Sequence, residues 1–366
     1  MAATLLQTDF AAGIGATYPI FGFTHSIDAA VEITRSGGVG IWGATRSTPD
    51  EIAAGLSDIR DRVGELPFGI DLVLPSGMPE QDDRAGVEAA IPQGHRDFVQ
   101  GLRTKYAVPD DGLPGARSRF VRSNEMAAKQ IEVVIDSTVD ILALGIGSPE
   151  NVISAAKARG KTIVSLVGAP RHAERALDAG ADLLVAQGYD AGAHTGAIGT
   201  FSLVPQVVAI AGSTPVLAAG GVATGRHIAA AFALGAVGVW IGTAWLTTRE
   251  QHEDPITLRK LLEAGADSTV ISRADSGKTL RQLRTAWSDE WAAPEAPTPL
   301  RMPYQDILVG DLLGAIDRHQ VEPLVHTPAG QGIGWFNEET TVAEVMATLV
   351  ADAADHLERM RAGNLG

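Results

Sequence analysis

One histidine, His194, stands in a glycine-rich segment directly after a run of apolar residues typical of a strand. The segment, residues 186–196, has glycines at positions 188, 192 and 196, which permit tight turns and close approach of the backbone to a flat ligand. Gln187 adds an amide that both donates and accepts hydrogen bonds. Because imidazole titrates near neutral pH, His194 could serve as an acid or a base. The alternative is an ordinary strand-to-helix connection with an exposed histidine, since a glycine-rich turn alone is a weak signal.

A second chemical signal comes from two later loops. Gly220 and Gly221 follow one strand-like run, and Gly242 and Thr243 follow the next. In α/β barrels, backbone N–H groups and helix N-termini at such loops commonly bind phosphate. The loops therefore favour a phosphorylated ligand over simple glycine turns, without indicating which ligand.

Composition narrows the class of protein. The 366 residues are 45% hydrophobic and 20% charged, which is typical of a globular protein. The net charge of −15 argues against binding to nucleic acid or to an anionic membrane surface, because both need clustered cations. The absence of cysteine excludes disulfides, iron–sulfur clusters and thiolate nucleophiles.

Membrane and metal signals are also missing from the sequence. No run approaches the roughly 18 apolar residues of a membrane span, and the first residues lack a signal-peptide pattern, so we expect a cytoplasmic location. The histidines show no paired ligand spacing and no carboxylate cluster beside them, so we predict no metal.

Eight short β-rich runs alternate with helical patterns along the chain. They cover residues 18–22, 38–42, 67–74, 139–145, 162–167, 182–187, 215–219 and 236–241. This alternation is typical of a parallel sheet with crossover helices, and eight strands close a (β/α)₈ TIM barrel. An open doubly wound sheet would favour a Gly-x-Gly-x-x-Gly motif after the first strand, and none is present.

Two further segments extend the predicted barrel. Residues 75–123 form an insertion after strand 3, rich in Pro, Gly and charge, and such insertions often act as lids. Residues 248–366 form a C-terminal helical extension that ends in an amphipathic helix around residues 342–360. We therefore expect a barrel of residues 1–247 with the extension packed on it. The last helix could pack on the barrel or on a second subunit, which leaves a homodimer open.

Together these motifs resemble the nitronate monooxygenase (2-nitropropane dioxygenase) family of FMN-dependent barrel enzymes. Residues 186–194 are similar to the family pattern Ala-Gln-Gly-x-Glu-Ala-Gly-Gly-His. The Ala-Ala-Gly-Gly sequence at 218–221, the Gly-Thr strand end at 242–243 and a glycine-rich element at 329–334 follow in the family's order. The resemblance spans nearly the whole chain.

The resemblance implies roles for individual residues. His194 would lie near the flavin as a base or as a hydrogen-bond partner of the substrate. The residues implied to contact FMN are Asp71, Gln187, Gly192, Gly220, Gly221, Trp240, Ile241, Gly242 and Thr243. From their positions near strand ends and beside the histidine loop, His25, Trp42 and Tyr189 could line the substrate pocket, with surface or packing roles as the alternative.

Several positions depart from the family pattern, including the end of the first strand, where Ile20 and Phe21 follow Pro19 in place of the family's Pro-Met before a small residue. Asp190 replaces the usual Glu, and Ala193 replaces a Gly. Asp71 stands where the family often has Asn, and a carboxyl group donates a hydrogen bond to a flavin only when it is protonated.

The implied activity is oxidation of alkyl nitronates, such as propionate-3-nitronate, with O₂ and without an external reductant. Removing a proton next to a nitro group needs a base, and holding a nitronate needs a donor or a positive charge. The alternative is an FMN-dependent NAD(P)H oxidoreductase on the same fold that reduces a quinone or an enoyl thioester, since the insertion suits a larger substrate. A flavin-binding protein without turnover is a third hypothesis, which His194 disfavours.

Overall fold

The computed structural model of the protein describes residues 5–363. Eight parallel strands form a closed barrel, and three short strands form a separate sheet in the order β10-β11-β7. In chain order the strands are β1 (Ile20–Thr24), β2 (Val39–Gly43), β3 (Phe68–Val73), β4 (Ile141–Gly145), β5 (Thr162–Val167), β6 (Leu183–Gln187), β7 (Ala193–His194), β8 (Val216–Ala219), β9 (Gly238–Ile241), β10 (Thr269–Ser272) and β11 (Leu280–Leu283).

The barrel confirms the TIM-barrel prediction. Each barrel strand pairs in parallel with the next one, and β9 closes the circle by pairing with β1, where Trp240 lies opposite Phe21. Each of the eight predicted runs overlaps a barrel strand: six enclose it, the second ends one residue early, and the first is displaced by two residues. Because the carboxyl ends of all eight strands meet at one rim, the loops singled out in the sequence are brought together there.

Helices follow most of the strands and begin at the sequence signals expected for them. For example, Thr48 caps α3 with a capping box that includes Glu51, and Pro49 occupies the first turn. The helices are α1 (Asp9–Gly13), α2 (Ile27–Arg35), α3 (Pro49–Val63), α4 (Arg84–Ala89), α5 (Gln93–Lys105), α6 (Asn124–Asp136), α7 (Glu150–Ala158), α8 (Pro170–Asp178), α9 (Thr200–Ala211), α10 (Gly225–Ala233), α11 (Pro255–Glu263), α12 (Ala286–Ala292), α13 (Tyr304–Arg318) and α14 (Val342–Arg361).

The insertion and the C-terminal extension share one hydrophobic core. Leu102 of α5 is buried in the same cluster as Trp287 of α12 and Leu313 of α13, and α13 packs against both α4 and α5. We call residues 75–123 and residues 248–328 together the cap. The cap also contains the β10–β11 hairpin, so the extension is not entirely helical.

The last helix, α14, completes the barrel. It packs against α10, which follows the seventh barrel strand, and against α2, which follows the first. This is the place of the eighth helix in a TIM barrel, so the rest of the extension lies between the last strand and the last helix. The barrel thus takes its last helix from beyond residue 247, and a domain boundary at that residue is still only a proposal. No helix between residues 5 and 363 is both long and apolar enough to span a bilayer.

Candidate active site

His194 lies on β7, which the cap holds in place. β7 pairs antiparallel with β11, with His194 opposite Leu280, and the His194 Nδ1 atom lies 3.1 Å from the carbonyl oxygen of Thr279. On the barrel side, the Gln187 Nε2 atom donates a hydrogen bond of 2.5 Å to the backbone carbonyl of His194. The histidine is therefore fixed between the end of β6 and the cap hairpin.

The ionisation state of His194 follows from its surroundings. Desolvation lowers the pKa of its imidazole to about 4, with further lowering by the positive charges of Arg117 and Arg122. The ring is thus neutral at physiological pH. Because the Thr279 carbonyl can only accept, Nδ1 carries the proton and Nε2 keeps a free lone pair. In this tautomer the ring can accept a proton at Nε2.

Two consecutive glycines shape the loop after β8. Gly220 and Gly221 have φ values of 97° and 73°, in the left-handed region that favours glycine. A Cβ atom at Gly220 would lie 2.8 Å from the Thr200 hydroxyl oxygen, so this loop also packs tightly against the start of α9. The loop leads directly into α10, whose N-terminus suits an anion.

The segment 329–334 joins these loops. The Gly330 N–H donates to the Thr243 hydroxyl oxygen over 2.9 Å. A Cβ atom at Gly192 would lie 2.8 Å from the backbone of Ala329 and Gly330, so a side chain there would push the two loops apart. Four loops, after β6, β8 and β9 and before α14, therefore meet in one place.

Asp190 connects two of these loops to α9. Its carboxylate accepts a hydrogen bond of 3.0 Å from the Thr200 N–H in the first turn of α9, and its backbone carbonyl accepts one of 2.9 Å from the Gln331 N–H. The Asp that replaces the family's Glu thus has a structural role as a helix cap.

Asp71 is the most unusual carboxyl group of the barrel. It lies at the upper end of β3, is 4% exposed, and its Oδ2 atom has no hydrogen-bond partner within residues 5–363. Burial raises its pKa to about 7. Near neutral pH much of the Asp71 population is protonated, so this side chain can donate a hydrogen bond to a ligand above it, as Asn would.

The predicted contacts after β9 differ in what they can offer. The Trp240 ring stacks on Phe21 and Phe23 at centroid distances of 6.3 and 6.1 Å and closes the barrel interior beneath the rim. Ile241 is buried in the outer core, and its carbonyl accepts a hydrogen bond from the Trp245 indole. Its side chain is therefore not directed at the site. A Cβ atom at Gly242 would meet only Phe23, at 3.9 Å, which leaves room beside it.

For one of the three predicted pocket residues, Trp42, the structure contradicts the prediction that its side chain lines the pocket. Its side chain alternates with Ile41 along β2 and packs outward against Gly55 of α3, because neighbouring residues of a strand face opposite sides. Tyr189 is 38% exposed, and its ring stacks on the Arg281 guanidinium of the cap at 4.5 Å. Tyr189 therefore joins the histidine loop to the hairpin.

His25 lies at the rim after β1. Its Nδ1 atom is 2.7 Å from the carbonyl oxygen of Gly43, and its ring contacts the edge of Phe23. The ring is reached by solvent, but the surrounding protein lowers its pKa, first by desolvation and then by the charges of Arg46 and Arg117. His25 is therefore a neutral side chain beside a cationic cluster.

This cationic cluster was not predicted from the sequence. Arg117 forms two buried ion pairs, with Asp275 at 3.0 Å and with Asp306 at 3.2 Å. Arg122 donates a hydrogen bond of 2.9 Å to the Val73 carbonyl at the end of β3. The cap thus brings two arginines of the insertion and two carboxylates of the extension to the barrel rim.

Arg46 completes the cluster from the loop after β2. Its loop is rigid, because the buried Gln130 side chain donates to the backbone carbonyls of Thr45 and Ser47 at 3.2 and 2.7 Å. The guanidinium has no hydrogen bond or ion pair within residues 5–363, and burial together with the charge of Arg117 lowers its pKa to about 9. Arg46 is therefore a fixed positive charge without a direct partner.

One signal for the cluster existed in the sequence, namely three arginines between residues 117 and 122 of the insertion. Their spacing does not indicate which of them turns inward. In the structure Arg119 pairs with Glu51 on the surface, whereas the other two are enclosed. No group of three His, Asp or Glu side chains in the described part of the chain is arranged to hold a metal ion.

A large groove opens beside the rim, between the insertion and helices α6, α7 and α8. Its volume is about 1130 Å³, and its walls include Val73, Arg122, Leu166 and Lys278 at the end near the barrel. Val73 lies two residues beyond Asp71 on the same strand, so the groove reaches the site just described.

The chain is similar to known proteins along nearly its whole length. The sequence model of the nitronate monooxygenase family matches residues 19–352. A Mycobacterium tuberculosis protein whose name describes a monooxygenase is 36% identical, over 97% of this chain and 99% of its own. The structure of a nitroalkane oxidase from Streptomyces ansochromogenes superimposes with a TM-score of 0.82 at 25% identity, covering 96% of this chain and 99% of that one. The structure of FabK from Thermotoga maritima gives a TM-score of 0.76 at 26% identity, covering 97% and 99%.

Proposed function

The chain belongs to the nitronate monooxygenase family, and we propose that it is an FMN-dependent enzyme that oxidises alkyl nitronates with O₂. Membership of this family makes it an oxidoreductase. Propionate-3-nitronate represents the proposed substrate class. The observation that carries the proposal is a neutral imidazole, His194, held at the barrel rim beside a buried cationic cluster.

The residues present fit a flavin phosphate at one side of the rim and a flavin ring at the other. Gly220, Gly221 and the start of α10 would hold the phosphate, together with the loop at Thr243. Asp71 offers the ring a carboxyl group whose Oδ2 atom lacks any partner among residues 5–363. A flavin bound here supplies the electron transfer between nitronate and O₂.

His194 would act as the base when the substrate is a neutral nitroalkane. Its Nδ1 proton is committed to the Thr279 carbonyl, which leaves Nε2 as the acceptor. A ring in this state cannot also donate a hydrogen bond to a nitronate at Nε2. We therefore assign the stabilisation of the nitronate anion to the positive charges of Arg46 and Arg122.

The alternative function, an FMN-dependent NAD(P)H oxidoreductase that reduces a quinone or an enoyl thioester, has one observation in its favour. The groove of about 1130 Å³ beside the rim exceeds the roughly 300–1,000 Å³ of common ligand pockets and is far larger than a small nitronate needs. Substrate size therefore separates the two candidate functions.

Anaerobic stopped-flow absorbance of the purified flavoprotein tests both candidates. The protein is mixed separately with an alkyl nitronate and with NADH or NADPH. We expect rapid flavin bleaching by the nitronate and no response to either nicotinamide. Bleaching by NADH or NADPH with an inert nitronate would instead establish the reductase.

The role of His194 is tested by His194→Gln with two substrates of the same carbon skeleton. We expect kcat/KM for the neutral nitroalkane to fall by about 10²–10⁴-fold, because proton removal is lost. For the preformed nitronate, which needs no base, we expect a loss below about tenfold. His95→Gln, in α5 of the insertion, serves as the control. Equal losses for both substrates would show that His194 only positions the substrate.

A further inference from the structure

The groove beside the rim has an apolar floor along most of its length. Its walls come from the insertion and from α6, α7 and α8. The apolar side chains that line it include Leu74, Met78, Phe120, Ile131, Val152 and Val167. Such a floor suits an extended, largely uncharged stem.

The charges along the groove are mainly positive. Arg122 and Lys278 lie at the end near the barrel, and Arg175 comes from α8, whose His172 adds an imidazole with a pKa lowered by burial and by the charges of Arg171 and Arg175. Arg159 also lines the groove, but it is paired with Asp136 at 2.5 Å. The only other carboxylate among the lining residues is that of Glu132. A net cationic groove stands out in a chain whose net charge is −15.

The key cations are available to a ligand. Within the described residues, the Lys278 ammonium and the Arg175 guanidinium make no ion pair or side-chain hydrogen bond. Lys278 is half-buried next to Arg122, so the two like charges lie together without a carboxylate directly on Lys278. Unpaired Arg and Lys side chains in a concave site favour phosphate groups.

We propose that this groove binds the phosphorylated arm of an elongated ligand whose reactive end reaches the barrel rim. Coenzyme A thioesters and reduced nicotinamide dinucleotides share this chemistry, because each joins an extended stem to several phosphates. The apolar floor would hold the stem, and Arg175 with His172 would contact phosphate. The proposal rests on the proposed redox function only for the reaction at the barrel rim. Binding of the phosphorylated arm in the groove does not require nitronate to be the substrate.

Isothermal titration calorimetry of the purified flavoprotein tests the groove with four probes. Acetyl-coenzyme A and NADP⁺ carry the phosphorylated arms, S-acetylpantetheine carries the stem without phosphate, and NAD⁺ lacks only the 2′-phosphate. We expect one of the phosphorylated probes to bind, with affinity that falls as salt rises. S-acetylpantetheine should bind at least about tenfold more weakly than acetyl-coenzyme A. The probe that binds identifies the source of the arm, and binding of none overturns the proposal.

Two substitutions test whether the probes bind in the groove, and a third serves as the control. Arg175→Glu reverses an exposed charge on α8 and should weaken binding by about tenfold or more. Ala155→Trp fills the groove from the exposed face of α7 without a change in charge and should abolish binding. Lys129→Glu changes the same charge as Arg175→Glu on the outer surface of α6 and should bind like the wild type. Wild-type affinity in both groove variants would place any bound probe elsewhere and refute the proposal.

These results are separable from the test of nitronate oxidation. If the protein binds a phosphorylated probe but does not oxidise nitronate, the groove proposal stands and nitronate is refuted as the substrate. If the protein oxidises nitronate but binds no probe, nitronate stands as the substrate and the groove proposal is refuted.

Discussion

The two sides of the barrel rim present different chemical groups. On one side, the phosphate side, loops after β6, β8 and β9 meet segment 329–334 through backbone hydrogen bonds and close glycine packing. On the other, the cap side, Arg46, Arg117 and Arg122 face carboxylates of the extension. The first side offers N–H groups that never titrate, and the second offers charges that depend on their partners. Under the proposed function, cofactor binding and substrate electrostatics would thus fall to separate structural parts.

The cap side should show the largest effect of a single substitution. Arg117→Met leaves the buried carboxylates of Asp275 and Asp306 without their shared cation, so we expect a loss of about 3–5 kcal/mol in the free energy of unfolding. Urea denaturation measures it. Arg119→Met, which removes only a surface pair with Glu51, should cost no more than about 1 kcal/mol. A similar small loss for both variants would mean that the cap does not depend on the buried network.

The phosphate side should respond through its backbone. Gly220→Ala adds a Cβ atom 2.8 Å from the Thr200 hydroxyl and forces alanine into a left-handed conformation, at a cost of about 2–3 kcal/mol. We also expect the purified variant to contain less flavin, as measured by the ratio of flavin to protein absorbance. Gly199→Ala is the control, since a Cβ atom there meets nothing within 4 Å. Full flavin content in Gly220→Ala would place the phosphate elsewhere.

Asp71 lies on β3, two residues before the Val73 carbonyl that accepts from Arg122, and gives the smallest effect, which depends on pH. Its pKa is raised to about 7 in the folded protein, so folding takes up a proton between the unfolded value of 3.8 and 7, and stability falls as pH rises through that window. Asp71→Asn removes this loss. Relative to the wild type, the variant should gain about 1–2 kcal/mol between pH 5 and pH 7. A constant difference between the two proteins across this range would show that Asp71 titrates normally.

The two sides also differ in how far the sequence predicts them. The phosphate side depends on short motifs, so the glycines at 220 and 221, Thr243 and the 329–334 element are recognisable from the order of residues alone. The eight strands were predictable for the same reason, because each is a local apolar run. Which face of a strand a residue occupies is less secure, and Trp42 shows the consequence: it packs against α3 and not in the pocket.

The cap side could not be predicted in this way. Arg117 meets Asp275 and Asp306 only because the insertion and the extension share a hydrophobic core, and no local pattern encodes that contact. The same is true of His194. The sequence showed a histidine in a glycine-rich loop, but its neutral state and its tautomer depend on Thr279, 85 residues further along the chain.

The position of α14 bears on how this protein is made. The helix that fills the last place in the barrel's ring follows every other described element, so the barrel strands and the cap are synthesised before it. While the chain is still on the ribosome, the surfaces of α2 and α10 that α14 covers are therefore left exposed, although all eight barrel strands already exist. Closure brings residues 342–361 against residues 27–35, and a contact of such high sequence separation is slow to form. A truncated product that lacks α14 would thus carry every residue of the candidate active site and still expose an apolar surface to chaperones and proteases.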